Sequence, residues 1–410
     1  MKITNVNAIW AYTDQGPLGI EVRVTTERGA LGRALCAAPQ MGTEQELLSA
    51  VRAVNDGGRL LLGCGAVDQA GCDARIRAMD TKAMGSAGMA ALSQAVLSAG
   101  AAASGLPLYR ALGRRGQYRL PVPACQAAMG GNRYGAEAAG VPYPIYSFAA
   151  CGFGRFSDAS YGLWETVSAY TAVLSRALGF KIEMDSENCI PKGSVRCDEE
   201  ILTLMAQAIE QVGLTGRVGI VAELGAGRYY DRTSGCYRGF LSGEPFDRAA
   251  LLDRLAALCA DFPILAVQDP LEPGDLEGFA LLAGRVPALV FGGEALGGRQ
   301  DRLAQAAAAG AVEGAGLLLP QLGTLTDAAA YARRAEERGL FTAIRGDHGE
   351  DVAIADYAVG LNCGLLLGCG ISFVCDRLLE IEEELGGSAV FAGPDLAARY
   401  AADREERNIG

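Results

Sequence analysis

Side chains that exchange protons near neutral pH are scarce in this sequence. Its 410 residues include a single histidine, His348, and of its 36 lysines and arginines only four are lysine. Arginine supplies the remaining positive charge, and its guanidinium stays protonated, so it is a poor general base. Zinc sites built from several histidines are therefore excluded, and acid–base chemistry depends on carboxylates and these few groups.

The sequence also lacks an excess of positive charge and long apolar runs. Acidic residues outnumber lysine and arginine by 48 to 36, which gives a formal net charge of −12. We therefore expect no nucleic-acid partner and no association with a membrane surface. No stretch approaches the roughly 18 apolar residues of a transmembrane helix. The first residues lack the features of a signal peptide, so we expect a cytoplasmic protein.

Twelve cysteines are scattered through the chain, without a CxxC pair and without a spacing typical of zinc ligands. Disulfide bonds are the other common use of so many cysteines, but they are rare in a reducing cytoplasm. We therefore expect small, buried thiols that pack as apolar side chains.

Short apolar segments alternate with helical segments in the sequence beyond residue 120. Such repeated alternation is typical of a parallel sheet that closes into a barrel, and barrel chemistry lies at the carboxyl ends of the strands. Before residue 120 the pattern is different, with one alternating strand at 19–26 and helical segments at 44–54 and 88–104. The strand candidates of the barrel are 180–184, 218–222, 264–267, 288–291, 316–319, 340–344 and 363–367.

Acidic residues follow three consecutive strand candidates of this barrel. They are Glu223, Asp269 and Glu294. Because neighbouring parallel strands end at the same edge, these carboxylates are candidate ligands of a divalent cation. The alternative is that they cap helices or pair with some of the many arginines.

Recognisable sequence motifs are spread over nearly the whole chain, at 19–27, 92–113, 120–123, 130–131, 266–271, 321–326, 354–360, 381–386 and 391–393; they include LPLYRALG at 106–113, LPVP at 120–123 and IEEELG at 381–386. These segments resemble, in the same order, those of the enolases, the glycolytic phosphopyruvate hydratases.

This resemblance implies an α/β, enolase-like fold. We expect a small α+β N-terminal domain at residues 1–120 and an eight-stranded β/α barrel of the TIM type at residues 121–410. The family interconverts 2-phosphoglycerate and phosphoenolpyruvate with the help of magnesium, and its members form dimers. The resemblance therefore implies a lyase with a Mg²⁺ cofactor, a small anionic carboxylate or phosphate ligand, and a homodimer.

The positions that carry proton transfer in enolases are replaced in this sequence. Segment 316–320 has leucine or proline where the family has its base lysine, and Leu367 or Gly368 takes the place of a second active-site lysine. Two family histidines correspond to Ile344 and Arg133. Neither leucine nor proline can carry a proton, so the family's base is absent from its expected position.

The metal positions of the family are altered as well. Glu223 stands for the first aspartate, but Gln268 replaces the second acid and Gly293 replaces the third. Asp269 and Glu294 each lie one residue further along. One step along a strand turns a side chain to the opposite face, so these two residues need a local distortion to reach the usual ion.

Three further residues are candidates for the site. Arg345 matches the arginine that holds the phosphoryl group in the family, and its guanidinium suits phosphate or carboxylate; a pair with Asp347 or Glu350 is the alternative. Glu187 stands for the family's catalytic acid. His348 is a second catalytic candidate, because an unperturbed histidine has a pKa near neutral, although the sequence favours a solvent-exposed loop histidine without a role.

These observations leave three hypotheses for the function. The chain is an enolase that interconverts 2-phosphoglycerate and phosphoenolpyruvate, a catalytically silent paralogue that binds an anionic ligand or a partner, or an enzyme of the same superfamily that acts on another small carboxylate. The loss of the base lysine and of two metal acids favours the silent paralogue, because general acid–base catalysis alone contributes roughly 10²–10⁴-fold to a rate.

Overall fold

A computed structural model describes residues 1–13, 18–38, 41–113, 116–130, 133–134, 143–182, 190–346, 352–369 and 372–407, the last six of these by their backbone alone. Contacts within the chain divide it into two compact units. The first unit comprises Met1–Tyr118, Leu317–Arg334 and Ile344–Cys363. The second comprises Arg119–Gly316, Ala335–Ala343 and Gly364–Gly410.

The strands are short beyond the N-terminal region, and five of them (β6, β7, β10, β11 and β14 in the following list) are buried along their whole length. They are β1 (Ile3–Tyr12), β2 (Leu18–Thr26), β3 (Leu31–Ala37), β4 (Arg119–Leu120), β5 (Val122–Ala128), β6 (Ile145–Ala150), β7 (Val218–Glu223), β8 (Tyr230–Asp231), β9 (Cys236–Tyr237), β10 (Ile264–Gln268), β11 (Leu289–Gly292), β12 (Gly314–Leu317), β13 (Phe341–Arg345), β14 (Leu365–Leu367) and β15 (Val390–Phe391).

Helices and strands mostly alternate from α7 onward, with two consecutive helices, α10 and α11, between β12 and β13. They are α1 (Glu44–Gly58), α2 (Gln69–Arg77), α3 (Thr81–Ser104), α4 (Leu108–Ala111), α5 (Phe156–Leu178), α6 (Asp198–Gln211), α7 (Arg248–Asp261), α8 (Leu276–Ala283), α9 (Gln300–Ala308), α10 (Leu319–Leu322), α11 (Leu325–Glu336), α12 (Ala353–Gly360), α13 (Phe373–Leu385) and α14 (Gly393–Arg407).

The first unit contains a three-stranded antiparallel sheet in the order β1-β2-β3, with α3 packed on it. Small residues let the sheet and the helix approach closely. A Cβ atom on Gly32 of β3 would lie 2.2 Å from the carbonyl oxygen of Ala95 and 2.2 Å from the amide nitrogen of Ala99, both on α3. Only glycine fits at this contact, and the alanine-rich sequence of α3 follows from the same requirement.

A buried carboxylate, Asp73 of α2, organises the hydrogen bonds of this unit. It accepts from the hydroxyl of Ser93 at 2.7 Å and from the amide N–H and hydroxyl of Thr326, at 2.9 and 2.6 Å. Ser93 in turn accepts from the amide of Leu325 at 2.9 Å. Because buried polar groups are costly unless they are hydrogen bonded, this network fixes the first turn of α11 against α2 and α3.

Eight strands form a closed barrel in the order β5-β6-β7-β10-β11-β12-β13-β14. The predicted fold class, an enolase-like eight-stranded barrel after a small N-terminal α+β region, is confirmed. The second strand departs from the all-parallel pattern, since β6 pairs antiparallel with both β5 and β7. The strand predicted at 180–184 is wrong where it is described: α5 ends at Leu178, and residues 180–182 are irregular. In the part of the chain that the structure describes, no helix is long and apolar enough to cross a membrane.

Candidate functional site

The ends of β7 and β10 place two side chains in register at the rim of the barrel. Glu223 is the last residue of β7, and Gln268, the last of β10, pairs with it across the parallel ladder. On its other side Gln268 pairs with Phe291 of β11. Glu223 is completely buried and Gln268 is only 7% exposed. A carboxylate and an amide thus occupy neighbouring positions where the resemblance implies two acids.

Asp269, directly after β10, binds the backbone that follows β11. Its carboxylate accepts from the amide N–H groups of Gly293, Glu294 and Ala295, at 3.0, 2.8 and 3.1 Å. The backbone of Asp269 has a positive φ of 47°, which is uncommon outside glycine and turns the side chain toward these amides. Burial raises the pKa of Asp269, and the three amide hydrogen bonds act in the opposite direction. This carboxylate therefore caps the turn after β11.

The side chain of Gln268 fills the space above Gly293. A Cβ atom on Gly293 would lie 2.1 Å from Gln268 Nε2 and 3.0 Å from Asp269 Oδ2, so a larger residue would force these groups apart. Gln268 Nε2 donates to Asp269 Oδ2 at 3.2 Å. Its Oε1 is buried without a hydrogen-bond partner among the described residues. At the position where the resemblance implies the third metal acid, the chain thus has a glycine that is covered by an amide.

Glu294 forms an ion pair with Arg228, which lies in the loop after β7. The Arg228 Nε atom is 3.1 Å from Glu294 Oε1, and a second guanidinium nitrogen contacts the same oxygen. The guanidinium also lies over the ring of Tyr143, 5.3 Å from its centroid. Tyr229 donates from its hydroxyl to the carbonyl oxygen of Tyr143. Burial of Arg228 opposes its charge, but the hydrogen bond and charge of Glu294 raise its pKa above the ordinary value.

Arg133, which replaces a family histidine, lies in a buried ion pair with Asp198 at the start of α6. Its guanidinium makes two contacts with the carboxylate, Nη2–Oδ2 at 2.9 Å and Nε–Oδ1 at 3.2 Å. The hydroxyls of Tyr134 and Tyr146 donate to the two carboxylate oxygens. Burial opposes the charge of Arg133, but Asp198 holds its pKa above the ordinary value. The guanidinium of Arg133 is therefore held by the Asp198 carboxylate inside the protein.

The positions that correspond to the family's lysines are apolar. Strand β12 ends at Leu317, and the short helix α10 begins at Leu319, with Pro320 buried beside it. Leu367, the last residue of β14, is 2% exposed, and Ile344 of β13 is fully buried. None of these side chains accepts or donates a proton.

The structure describes four of the six residues predicted for the site. Glu223, Asp269 and Glu294 lie in the second unit. The backbone amide of Glu294 donates a hydrogen bond to the side-chain carboxylate of Asp269. Arg345 is the last residue of β13 and is half-buried. Glu187 and His348 lie outside the described residues and stay predictions.

Three features of this region were not predicted from the sequence. The contact between Gln268 and Gly293 is the first: the sequence showed that both residues differ from the acids that the resemblance implies, but not that they touch. The Arg228–Glu294 pair joins residues that are distant in sequence and has no local signal. The partner of Arg133, Asp198, also lies far along the chain and was not singled out.

The residues at this rim do not fit a magnesium site of the family's type. Magnesium prefers carboxylate and water oxygens in octahedral geometry. Of the three positions at which the resemblance implies a metal acid, Glu223 alone keeps one, while the neighbouring Asp269 binds three amides and Glu294 binds an arginine. Within the described ranges, no group of three acidic, histidine or cysteine side chains is arranged to hold a metal ion.

Comparison with known proteins agrees with this architecture. The family model for the enolase C-terminal TIM barrel domain matches residues 117–400, which is more than half of the chain. An enolase of Methanopyrus kandleri is 28% identical over 424 aligned positions, which cover 96% of this chain and 98% of the relative. The barrel topology, the family match and the extent of this similarity lead to one conclusion: the chain belongs to the enolase family.

Proposed function

We propose that this protein is a catalytically silent member of the enolase family that binds a small anionic carboxylate or phosphate ligand in the cytoplasm. The observation that carries the proposal is the contact between Gln268 and Gly293. There an amide covers a glycine where the family implies two metal acids. The remaining acids support the proposal, since Asp269 caps a turn and Glu294 pairs with Arg228.

The chemistry of the family explains why these changes remove activity. The resemblance implies that a lysine takes the proton next to the substrate carboxylate, while cations stabilise the dianion that forms. Here the lysine position lies in the segment Leu317–Pro320, whose leucines and proline carry no proton. The charge that forms would also face an amide and a glycine in place of two carboxylate-bound cations. Both kinds of transition-state stabilisation are lost together.

Arg345 supports the ligand-binding part of the proposal. It ends β13, and the resemblance implies that an arginine at this position holds the phosphoryl group. A guanidinium presents two parallel N–H donors that match either a phosphate or a carboxylate. This interaction requires neither a base nor a metal, so binding survives the loss of the catalytic groups.

The resemblance also supports a homodimer in solution, because the chain retains the framework of strands and helices through which family members pair. The chain mass is 42.6 kDa. Light scattering at micromolar concentration is expected to give about twice this mass. A monomeric mass would overturn this part of the proposal.

A turnover assay tests the catalytic part. The full-length protein is incubated with 2-phosphoglycerate and excess magnesium, and phosphoenolpyruvate is measured; a competent enolase added to the same mixture is the positive control. We expect no conversion above the protein-free rate. Robust turnover that is lost in His348→Ala or Glu187→Gln would overturn the proposal and assign catalysis to those residues. Turnover that both variants retain would mean that other groups form the active site.

Calorimetry with phosphoenolpyruvate tests the binding part. Arg345→Ala is expected to bind at least about tenfold more weakly than the unmodified protein, because charge-assisted hydrogen bonds are lost. Arg285→Ala, which removes an exposed arginine paired with Asp253, is the matched control and is expected to bind normally. Equal affinity in all three proteins would place the anion elsewhere, and undetectable binding to the unmodified protein would exclude this ligand class.

A further inference from the structure

Two cysteine thiols meet between the end of β14 and the start of α13. The sulfur atoms of Cys369 and Cys375 lie 3.3 Å apart. Cys369 follows the end of β14 by two residues, and Cys375 is the third residue of α13. A disulfide bond has a sulfur–sulfur distance of about 2.05 Å, so an approach of little more than 1 Å would join them.

The two thiols differ in their electrostatic surroundings. The pKa of Cys375 is lowered, because the hydrogen bond from Cys369, together with those from the Ser372 amide and the Ser160 hydroxyl, outweighs burial and the charge of Asp376, which act in the opposite direction. Its place in the first turn of α13 adds the positive end of the helix dipole. The pKa of Cys369 is raised, first by its hydrogen bond to Cys375 and then by burial. One member of the pair is thus suited to be the thiolate and the other to hold the proton.

Two other buried cysteines, Cys259 and Cys151, show the usual effect of burial on a thiol. Burial alone raises the pKa of Cys259 to about 12. Burial likewise raises the pKa of Cys151 to about 11. These thiols stay protonated at neutral pH and match the sequence-based expectation of inert apolar side chains. The pair at the start of α13 does not match it.

Both sulfurs belong to buried residues, whereas Gly368, Ser372 and Phe373, their neighbours in sequence, are exposed, and Phe373 is 78% accessible. Because burial restricts access to the sulfurs, a small oxidant reaches them more readily than a bulky reagent.

We propose that Cys369 and Cys375 form a reversible redox site whose substrate is a small hydroperoxide. The Cys375 thiolate attacks the terminal oxygen, the O–O bond breaks, and a sulfenic acid forms while hydroxide or alkoxide leaves and takes a proton from water. The Cys369 sulfur then attacks the sulfenic sulfur and loses its proton, the S–O bond breaks, and water leaves. Two thiols lose two electrons and two protons, and the hydroperoxide is reduced to water or an alcohol.

The resulting disulfide would connect the end of β14 with the first turn of α13. It would close a short loop at the rim of the barrel and restrict the unfolded chain, so the oxidised protein should melt at a higher temperature than the reduced one. External thiols reverse the bond by exchange. This inference is independent of the proposed ligand and of the loss of enolase activity.

Differential alkylation of the full-length protein tests the proposal without any substitution. Reduced protein is treated with equimolar hydrogen peroxide and then denatured, the remaining thiols are blocked with N-ethylmaleimide, and the protein is cleaved after arginine. The peptide 346–377 contains Cys363, Cys369 and Cys375 and no internal lysine or arginine. We expect this peptide to lose the mass of two hydrogen atoms and to carry one maleimide, on Cys363. Cys259 serves as the internal control and should lose alkylation at least about tenfold more slowly.

Two variants separate the steps. Cys369→Ala is expected to stop at a sulfenic acid on Cys375 that dimedone traps, and Cys375→Ala is expected to form neither product. The melting temperature of the unmodified protein is expected to rise on oxidation and to return after reduction. Equal oxidation of Cys259 and the pair, or a peptide 346–377 that carries three maleimides after peroxide treatment, would overturn the proposal.

Discussion

The side-chain amide of Gln268 covers Gly293, where a Cβ atom would lie only 2.1 Å from the amide nitrogen. The two residues belong to neighbouring strand ends, and the resemblance to enolases implies a metal acid at each position. The glycine makes room for the glutamine, and the glutamine fills the space that an aspartate side chain would need. The two residues therefore form one packed arrangement.

The close contact predicts that Gly293→Asp alone destabilises the protein. The new side chain must displace the Gln268 amide and disturb the hydrogen bonds of Asp269, so we expect the free energy of unfolding to fall by about 1–3 kcal/mol. Urea denaturation measures this change. Gly243→Asp is the matched control, since Gly243 is exposed and a Cβ atom there meets nothing within 4 Å.

Shortening the glutamine should relieve the same contact. In Gln268→Ala/Gly293→Asp we expect the loss of stability to be smaller than the sum of the two single changes, because the residues are in contact. Additive losses would contradict the packing relationship described here.

The buried ion pair between Arg133 and Asp198 predicts a large effect of Arg133→Ala. Removal of the guanidinium leaves the Asp198 carboxylate buried with only the hydroxyls of Tyr134 and Tyr146, so the free energy of unfolding should fall by about 3–5 kcal/mol. The exposed pair of Arg196 and Glu200 gives the control, because solvent screens this pair and Arg196→Ala should leave the free energy of unfolding nearly unchanged. If both variants lost a similar amount of unfolding free energy, burial of the Arg133–Asp198 pair would not determine how much that pair contributes to stability.

The surroundings of Glu21, in the first unit, lead us to expect that the stability of the protein depends on pH. Burial opposes its charge, but hydrogen bonds and charges of Arg33 and Arg23 hold its pKa below the ordinary value of 4.5. The folded carboxyl therefore releases its proton more readily than the unfolded one. Its stabilising contribution is present above pH 4.5 and is lost as the pH falls through the lower folded pKa.

Glu21→Gln is expected to remove the contribution of this residue to the fall of the free energy of unfolding with decreasing pH. In the following sentences, the slope is the change of this free energy with pH. Urea denaturation from pH 3 to pH 6 measures it, and roughly this range brackets the titration of ordinary carboxyl groups. Glu244→Gln, at an exposed position, is the control and should leave the slope unchanged. An unchanged slope in Glu21→Gln would contradict the assignment of the shift to the two arginines.

The barrel was predictable from the sequence where its strands are continuous apolar runs. The predicted strands at 218–222, 264–267 and 288–291 correspond to β7, β10 and β11 within one or two residues. Strands β5 and β6 were missed, because β5 is alanine-rich and contains Pro123, and neither strand alternates between apolar and polar residues. The segment 180–184 is apolar enough to suggest a strand, but it follows the glycine that ends α5.

The acids at the strand ends were found from the sequence, but their partners were not. The sequence left two interpretations open, a cation site or acids that cap helices and pair with arginines. The choice depends on the positive φ of Asp269 and on Arg228, which comes from a loop 66 residues before Glu294. Neither a backbone angle nor a distant partner leaves a periodic or local signal.

Magnesium calorimetry tests the central claim most directly. The full-length protein should show no stoichiometric binding, whereas Gln268→Glu/Gly293→Asp should bind magnesium and gain thermal stability in its presence, because three acids then meet at the rim. Gln305→Glu/Gly243→Asp adds the same charges at exposed positions and should not bind. Tight, stoichiometric binding by the unmodified protein that is lost in Glu223→Ala would contradict the account. Asp269 and Glu294 would then have to leave their present partners to complete a metal site.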